Sequence, residues 1–323
     1  SIRATDLEAD VRFLAGDAMG GRLTDTDGNR QAAEFISSRF ARFGLSAVGS
    51  DETHFQRFDL MTNRLGDRNR LRVLGLRPMD RQFGDEFYPD PASASGESGG
   101  AVVFVGFGIA APSLGHDDYR TATLTGKVAL MLNHEPGEFD AESRFEGVVT
   151  SEESRSVRKI LAAQARGAVA VLLAPDIHNH PGQRGLTRPI HGVWPERPPR
   201  VARYHLASWL TEVRIPVIQI SATLAGQIVE DAGRSFEELA AAAERLGGVA
   251  AEELSGPWVE LTTSVHRRTV PTRNVVGLVE GADARYRDEW IVISAHYDHV
   301  GRGSRQNSRG GIGEIHNGAD DNA

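Results

Sequence analysis

Trp290-Ile291-Val292-Ile293-Ser294-Ala295-His296-Tyr297-Asp298-His299 joins an unbroken run of apolar and small residues to four side chains that can carry chemistry. Such a run predicts a strand buried on both faces of a largely parallel sheet, since a strand with one wet face alternates instead. Alternate side chains of a strand share a face, so His296 and Asp298 are expected to point the same way at its carboxyl end, where open α/β sheets place ligands. A neutral imidazole offers one nitrogen to a metal while the other donates to a carboxylate. His296 is therefore a candidate metal ligand and Asp298 a candidate to orient it. A core His bonded to Asp is the ordinary alternative, so the pair gains weight only with a second motif.

That motif is Asn317-Gly318-Ala319-Asp320-Asp321-Asn322-Ala323, reached through residues 301–313, which have little apolar content. Gly-Ala before adjacent carboxylates lets the backbone approach closely, and one carboxylate has two oxygens that can bridge a pair of cations. Read alone, the same residues are a polar turn at a helix start.

Outward from these motifs the chain alternates helical and strand patterns. Thr5-Asp6-Leu7-Glu8 has the form of a capping box, with Leu7, Val11 and Leu14 on one helical face. A second helix is expected over 28–43, stopped by Gly44. Strands are expected over 55–60, 71–74, 101–108, 126–132, 168–173, 215–220, 258–265 and 274–279, with a helix over 154–166. Pro, Ser and Gly crowd 89–100, near which a domain boundary is placed. Residues 175–209 form an elaborated loop. His178, His180, His191 and His205 in or beside it match no standard ligand spacing and are read as solvent-facing. No internal repeat is present.

Composition narrows the function. The 323 residues, 40% apolar and 25% charged, suffice for two globular domains. With 36 Lys plus Arg against 44 Asp plus Glu the net charge is −8, and no basic block is present to follow a phosphate backbone, so nucleic acid is not an expected partner. No stretch approaches the roughly 20 apolar residues of a membrane span. Zero cysteines exclude disulfides, thiolate metal sites and a Cys nucleophile.

Taken together, the apolar strand, His-Tyr-Asp-His and Asn-Gly-Ala-Asp-Asp-Asn-Ala resemble the dinuclear-zinc aminopeptidase family, which also contains glutamate carboxypeptidase and transferrin-receptor-like members. Phe13-Leu14-Ala15, Gly20-Gly21-Arg22 and Gly28-Asn29-Arg30 look like the N-terminal helices of its bacterial members. The resemblance implies an α/β fold: a zinc-exopeptidase mixed sheet with helices on both faces, truncated, formed by residues 1–85 and 266–323. Residues 86–265 would be an inserted β-rich α/β protease-associated domain.

Carried over by motif, His296 is a terminal zinc ligand, Asp298 supports it, and Asp321 bridges two zinc ions. The peptide between Asp321 and Asn322 would be cis. The family's general-base Glu, its neighbouring Glu ligand, an Asp or Glu ligand and a final His have no counterpart before Ala323. The chain is thus expected to be the N-terminal portion of its parent, inactive alone and binding zinc weakly. The parent would release N-terminal residues from peptides with a free amine through a metal-activated water. It would be exported, secreted or periplasmic, with its leader removed. Catalytically degenerate binding, or a carboxypeptidase or glutaminyl-cyclase-like activity, are the alternatives, and the oligomeric state is left open.

Overall fold

The computed structural model describes residues 3–75, 79–121, 123–196, 202–303 and 311–321. The chain forms two compact units: Ser1–Thr62, Pro198–Leu206 and Thr269–Ala323 make the first, and Asn63–Arg197 with Ala207–Arg268 the second. Arg70–Leu74 belongs with the second unit because it pairs with Glu252–Thr263 inside that unit's sheet.

In the first unit, the helices Ala4–Leu14 and Asp27–Arg42 associate through Phe13 and Phe35, whose rings stack with centroids 4.2 Å apart, and through an Arg39–Asp10 ion pair at 2.8 Å. The capping box does not form. The first helix begins at Ala4 with Arg3 as its cap residue, and Arg3 grips Asp6 at 2.9 Å, leaving Thr5 inside the helix. The second helix is capped by Thr26, whose hydroxyl accepts from the Asn29 N–H. Its Gly28 lies against the Met19 carbonyl, where a Cβ would come within 1.8 Å of the oxygen. His205–Leu206 pairs antiparallel with Leu60 and Met61.

Residues 290–295 depart from expectation. They are not a strand, no described residue bonds to their backbone, and Ile291 and Ile293 are 93% and 95% exposed. An apolar run becomes a strand only when flanking strands complete its hydrogen bonds, and none lies beside it among the described residues. The cis peptide expected after Asp321 lies outside the described residues.

The second unit is built on an eight-stranded mixed sheet. Its parallel centre runs Gly96–Phe104, Val128–Leu132, Ala170–Ala174, Val217–Ile220. Val128, Leu130 and Leu132 share one core with Leu224, Ile228, Phe236 and Leu239 of the helices Ala222–Glu230 and Phe236–Ala243. The alternate residues Ala129 and Met131 point the other way and are buried as well. On the helix Ser156–Ala165, beside the strand Ala170–Ala174, Ile160 and Ala163 are fully buried. Each Val, Leu or Ile so buried contributes about 1.5–3 kcal/mol relative to leaving it exposed. The continuous apolar runs at 128–132 and 170–174 are explained by this two-sided burial. No described helix is long and apolar enough to cross a membrane.

Candidate metal centre

The two motifs meet on the N-terminal turn Gly20-Gly21-Arg22. Arg22 is 1% exposed, and its backbone sits in the left-handed region at φ 47°. Its guanidinium donates to the carbonyls of Tyr297 at 3.0 Å, Asn317 at 2.8 Å and Gly318 at 3.3 Å, and also to Leu14. The backbone adds His299 N–H to the Arg22 carbonyl at 3.1 Å and Gly301 N–H to the Gly21 carbonyl at 3.0 Å. Asn317 returns the contact, donating to the Ala15 carbonyl at 2.6 Å and to Asp17 at 2.8 Å. Burial lowers the Arg22 pKa while Asp321 and Asp298 oppose that shift, so a buried cation underlies both carboxylates.

Two glycines make this packing possible. A Cβ on Gly21, at φ 76°, would lie 2.4 Å from the Gly301 carbonyl oxygen. On Gly318, at φ 64°, it would lie 2.7 Å from His299 and 2.9 Å from the Arg22 guanidinium.

Around that scaffold His296, Asp298 and Asp321 come together without the expected strand. His296 Nδ1 faces Asp298, 2.9 Å from its carbonyl oxygen and 3.5 Å from its carboxylate, while Nε2 lies 3.5 Å from Asp321 Oδ1. A ring that donates from Nδ1 keeps the Nε2 lone pair for a ligand, and that lone pair faces a carboxylate oxygen. Neighbouring donors on a tetrahedral zinc with bonds of about 2.0–2.1 Å are about 3.3 Å apart, so the pair fits such an ion. Asp298 is fixed in turn by the Thr24 hydroxyl, which donates to Oδ2 at 3.0 Å. His299, expected to be a supporting or loop residue, sits with Nδ1 3.1 Å from Asp321 Oδ2. An open cavity of about 500 Å³ adjoins the site, lined by His299, Glu314, His316, Asn317 and Asp320 among others.

Arg22 and Thr24 were not anticipated as site residues. Their only sequence mark is the Gly-Gly-Arg turn, whose two small residues announce a close backbone approach but not its target. The solvent-facing reading of His180 needs correction. His134, Glu138 and His180 of the second unit converge, with ligand atoms all within 4.8 Å of one another. His178 and His191 are exposed, in keeping with that reading.

Residues 274–323, which hold all three expected site residues, match the model of Peptidase family M28. No curated protein matches the chain. Among solved structures, an aminopeptidase from Aneurinibacillus sp. strain AM-1 is similar at 14% identity and a TM-score of 0.37, over 84% of this chain and 46% of that one. BSAP, a zinc aminopeptidase from Bacillus subtilis, is similar at 14% identity and a TM-score of 0.28 over the same shares, 84% and 46%. The subtilisin-like protease Apa1 from the Antarctic Pseudoalteromonas sp. AS-11 follows at 11% identity and a TM-score of 0.30, over 67% of this chain and 37% of that one. The chain thus spans less than half the length of each of these proteins.

Proposed function

We infer that the protein is a metal-dependent exopeptidase that releases N-terminal residues from peptides with a free amino group. His296 is a zinc ligand, Asp298 orients it, and Asp321 is shared between two zinc ions. The observation that carries this reading is the placement of His296 Nε2 3.5 Å from Asp321 Oδ1 while Nδ1 is tied to Asp298. The match of residues 274–323 to Peptidase family M28 supports the same assignment.

Two zinc ions at such a site supply Lewis-acid polarisation of a scissile carbonyl. The chain's own residues prepare the position. Asp298 and Thr24 fix the imidazole, and Arg22 holds the two backbone segments that carry His296 and Asp321. Residues 86–265 fill the role of a protease-associated domain in this reading, and the protein acts outside the cytoplasm.

The test is hydrolysis of an amino-acid anilide with a free amine, set against its N-acetylated form, by the full-length protein. His296→Ala and Asp321→Ala should each lower kcat/KM by at least 100-fold, and the acetylated substrate should be refused. Normal rates in both variants would sink the assignment. Equal cleavage of the blocked substrate would remove the aminopeptidase specificity alone.

A further inference from the structure

The strands Val128–Leu132 and Ala170–Ala174 lie side by side and parallel, and the carboxyl ends of such strands are where α/β sheets gather ligands. The segments leaving those ends carry His134 and Glu138 on one side and His180 on the other.

Three atoms from these side chains form a closed triangle. His134 Nδ1 is 2.8 Å from Glu138 Oε2, His180 Nε2 is 2.9 Å from the same oxygen, and the two nitrogens are 3.0 Å apart. Each imidazole nitrogen presents either a proton or a lone pair, and an ionised carboxylate oxygen only accepts. With the carboxylate ionised, the two nitrogens either both donate to it and then face each other as donors, or at least one sets a lone pair against it, so like faces like on at least one edge. A cation that accepts three lone pairs removes the conflict. The triangle's circumscribed radius is about 1.7 Å, shorter than zinc bonds of about 2.0–2.1 Å, so an ion would rest about 1.2 Å above its plane with one side open. The side chains are 24–34% exposed, so water reaches all three.

The surroundings fix this geometry through other atoms. Lys159 Nζ donates to the carbonyls of Leu132 at 2.9 Å and His134 at 2.5 Å, which holds His134 at its positive φ of 65°. Glu244 accepts from Gly137 N–H at 2.7 Å and from the Asn179 side chain at 2.7 Å, bracing both ligand-bearing loops. Phe139 packs edge-on against the His180 ring.

We propose that His134 Nδ1, Glu138 Oε2 and His180 Nε2 form a mononuclear site for a divalent transition-metal cation, zinc, with an open coordination position. Two imidazoles and a carboxylate suit first-row metals, and among the commonly available ones the affinity order favours zinc over ferrous iron. Binding ties the loop after one parallel strand to the loop after the next and so stabilises the second unit. This site does not rest on the peptidase reading.

The experiment measures Zn²⁺ binding to the chelator-stripped 323-residue chain by calorimetry, with bound metal counted by mass spectrometry of the elements. In the His296→Ala/Asp321→Ala variant one equivalent should remain, and a 100-fold excess over Kd should raise Tm by about 5 °C or more. In a His134→Ala/His180→Ala variant that equivalent should be lost. Should this variant fail to fold, Glu138→Gln, which preserves shape, should weaken binding at least 10-fold with the circular dichroism unchanged. Co²⁺ in place of Zn²⁺ should give the visible absorption of a low-coordinate nitrogen–oxygen site in wild type and not in Glu138→Gln. Absence of zinc from the His296→Ala/Asp321→Ala variant, or undiminished binding in Glu138→Gln, would overturn the proposal.

Discussion

The Arg22 guanidinium donates to the Tyr297 carbonyl at 3.0 Å, so an N-terminal arginine holds the backbone between the two residues, His296 and Asp298, that the sequence marks for chemistry. Removing that side chain strands the carbonyls of Tyr297, Asn317 and Gly318, and each buried acceptor left without a partner costs about 1–3 kcal/mol. Arg22→Met should therefore destabilise the first unit by about 3 kcal/mol or more in urea unfolding. Arg22→Lys should recover little, because one ammonium does not reproduce the planar fork that spans three acceptors. A lysine variant as stable as wild type would show that charge alone suffices.

Thr24 donates to Asp298 Oδ2 at 3.0 Å, so it acts on His296 only through Asp298. Thr24→Val keeps the volume and removes the donor. Outer contacts of this kind typically account for 10–100-fold in metal affinity. Zinc affinity at the His296 site should fall within that range while the His134 site is untouched, and affinity unchanged within twofold would remove Thr24 from the site.

Gly20 and Gly21 offer an internal control. Both have positive φ, but a Cβ on Gly20 meets nothing within 4 Å, whereas on Gly21 it would lie 2.4 Å from the Gly301 oxygen. Gly20→Ala should cost about 1 kcal/mol, the conformational term alone. Gly21→Ala adds a steric clash and should cost at least twice as much, read as the difference in unfolding midpoints at constant m. Equal losses would mean that the two segments separate freely.

Ile291 and Ile293 stand in solvent at 93% and 95% exposure. Contiguous exposed apolar segments with open backbone groups favour association. Ile291→Thr with Ile293→Thr should change stability by less than about 0.5 kcal/mol and shift sedimentation of a concentrated sample toward monomer. A large loss of stability would mean that these side chains are covered.

The central strands of the second unit were legible because burial on both faces demands an uninterrupted apolar run, and 128–132 and 170–174 have one. Residues 290–295 carry the same signal without forming a strand, since hydrophobicity records a capacity for burial and not the presence of pairing partners. His296, Asp298 and Asp321 were legible as motifs, yet what assembles them was not. A buried arginine looks like a surface one until its acceptors are known. The His134, Glu138 and His180 group escaped spacing rules because its members lie on successive strand ends with a helix between them. The usable clue was a histidine soon after each of two consecutive apolar strands.

Arg22 and Tyr297 are 275 residues apart in the chain, and this separation bears on the order in which the molecule folds. Closing so long a loop is entropically expensive, and contacts of that span form late. The second unit has its own core, and its Gly66 N–H bonds to the Ser264 carbonyl at 2.8 Å. Once it has folded, the free chain between Arg22 and Tyr297 shrinks to residues 22–66 and 264–297, which lowers the closure cost by about 1 kcal/mol. The intervening unit thus works as an entropic clamp for a site to which it contributes none of the residues His296, Asp298 or Asp321. Refolding should show the His296 site gaining metal affinity only after the eight-stranded sheet has formed.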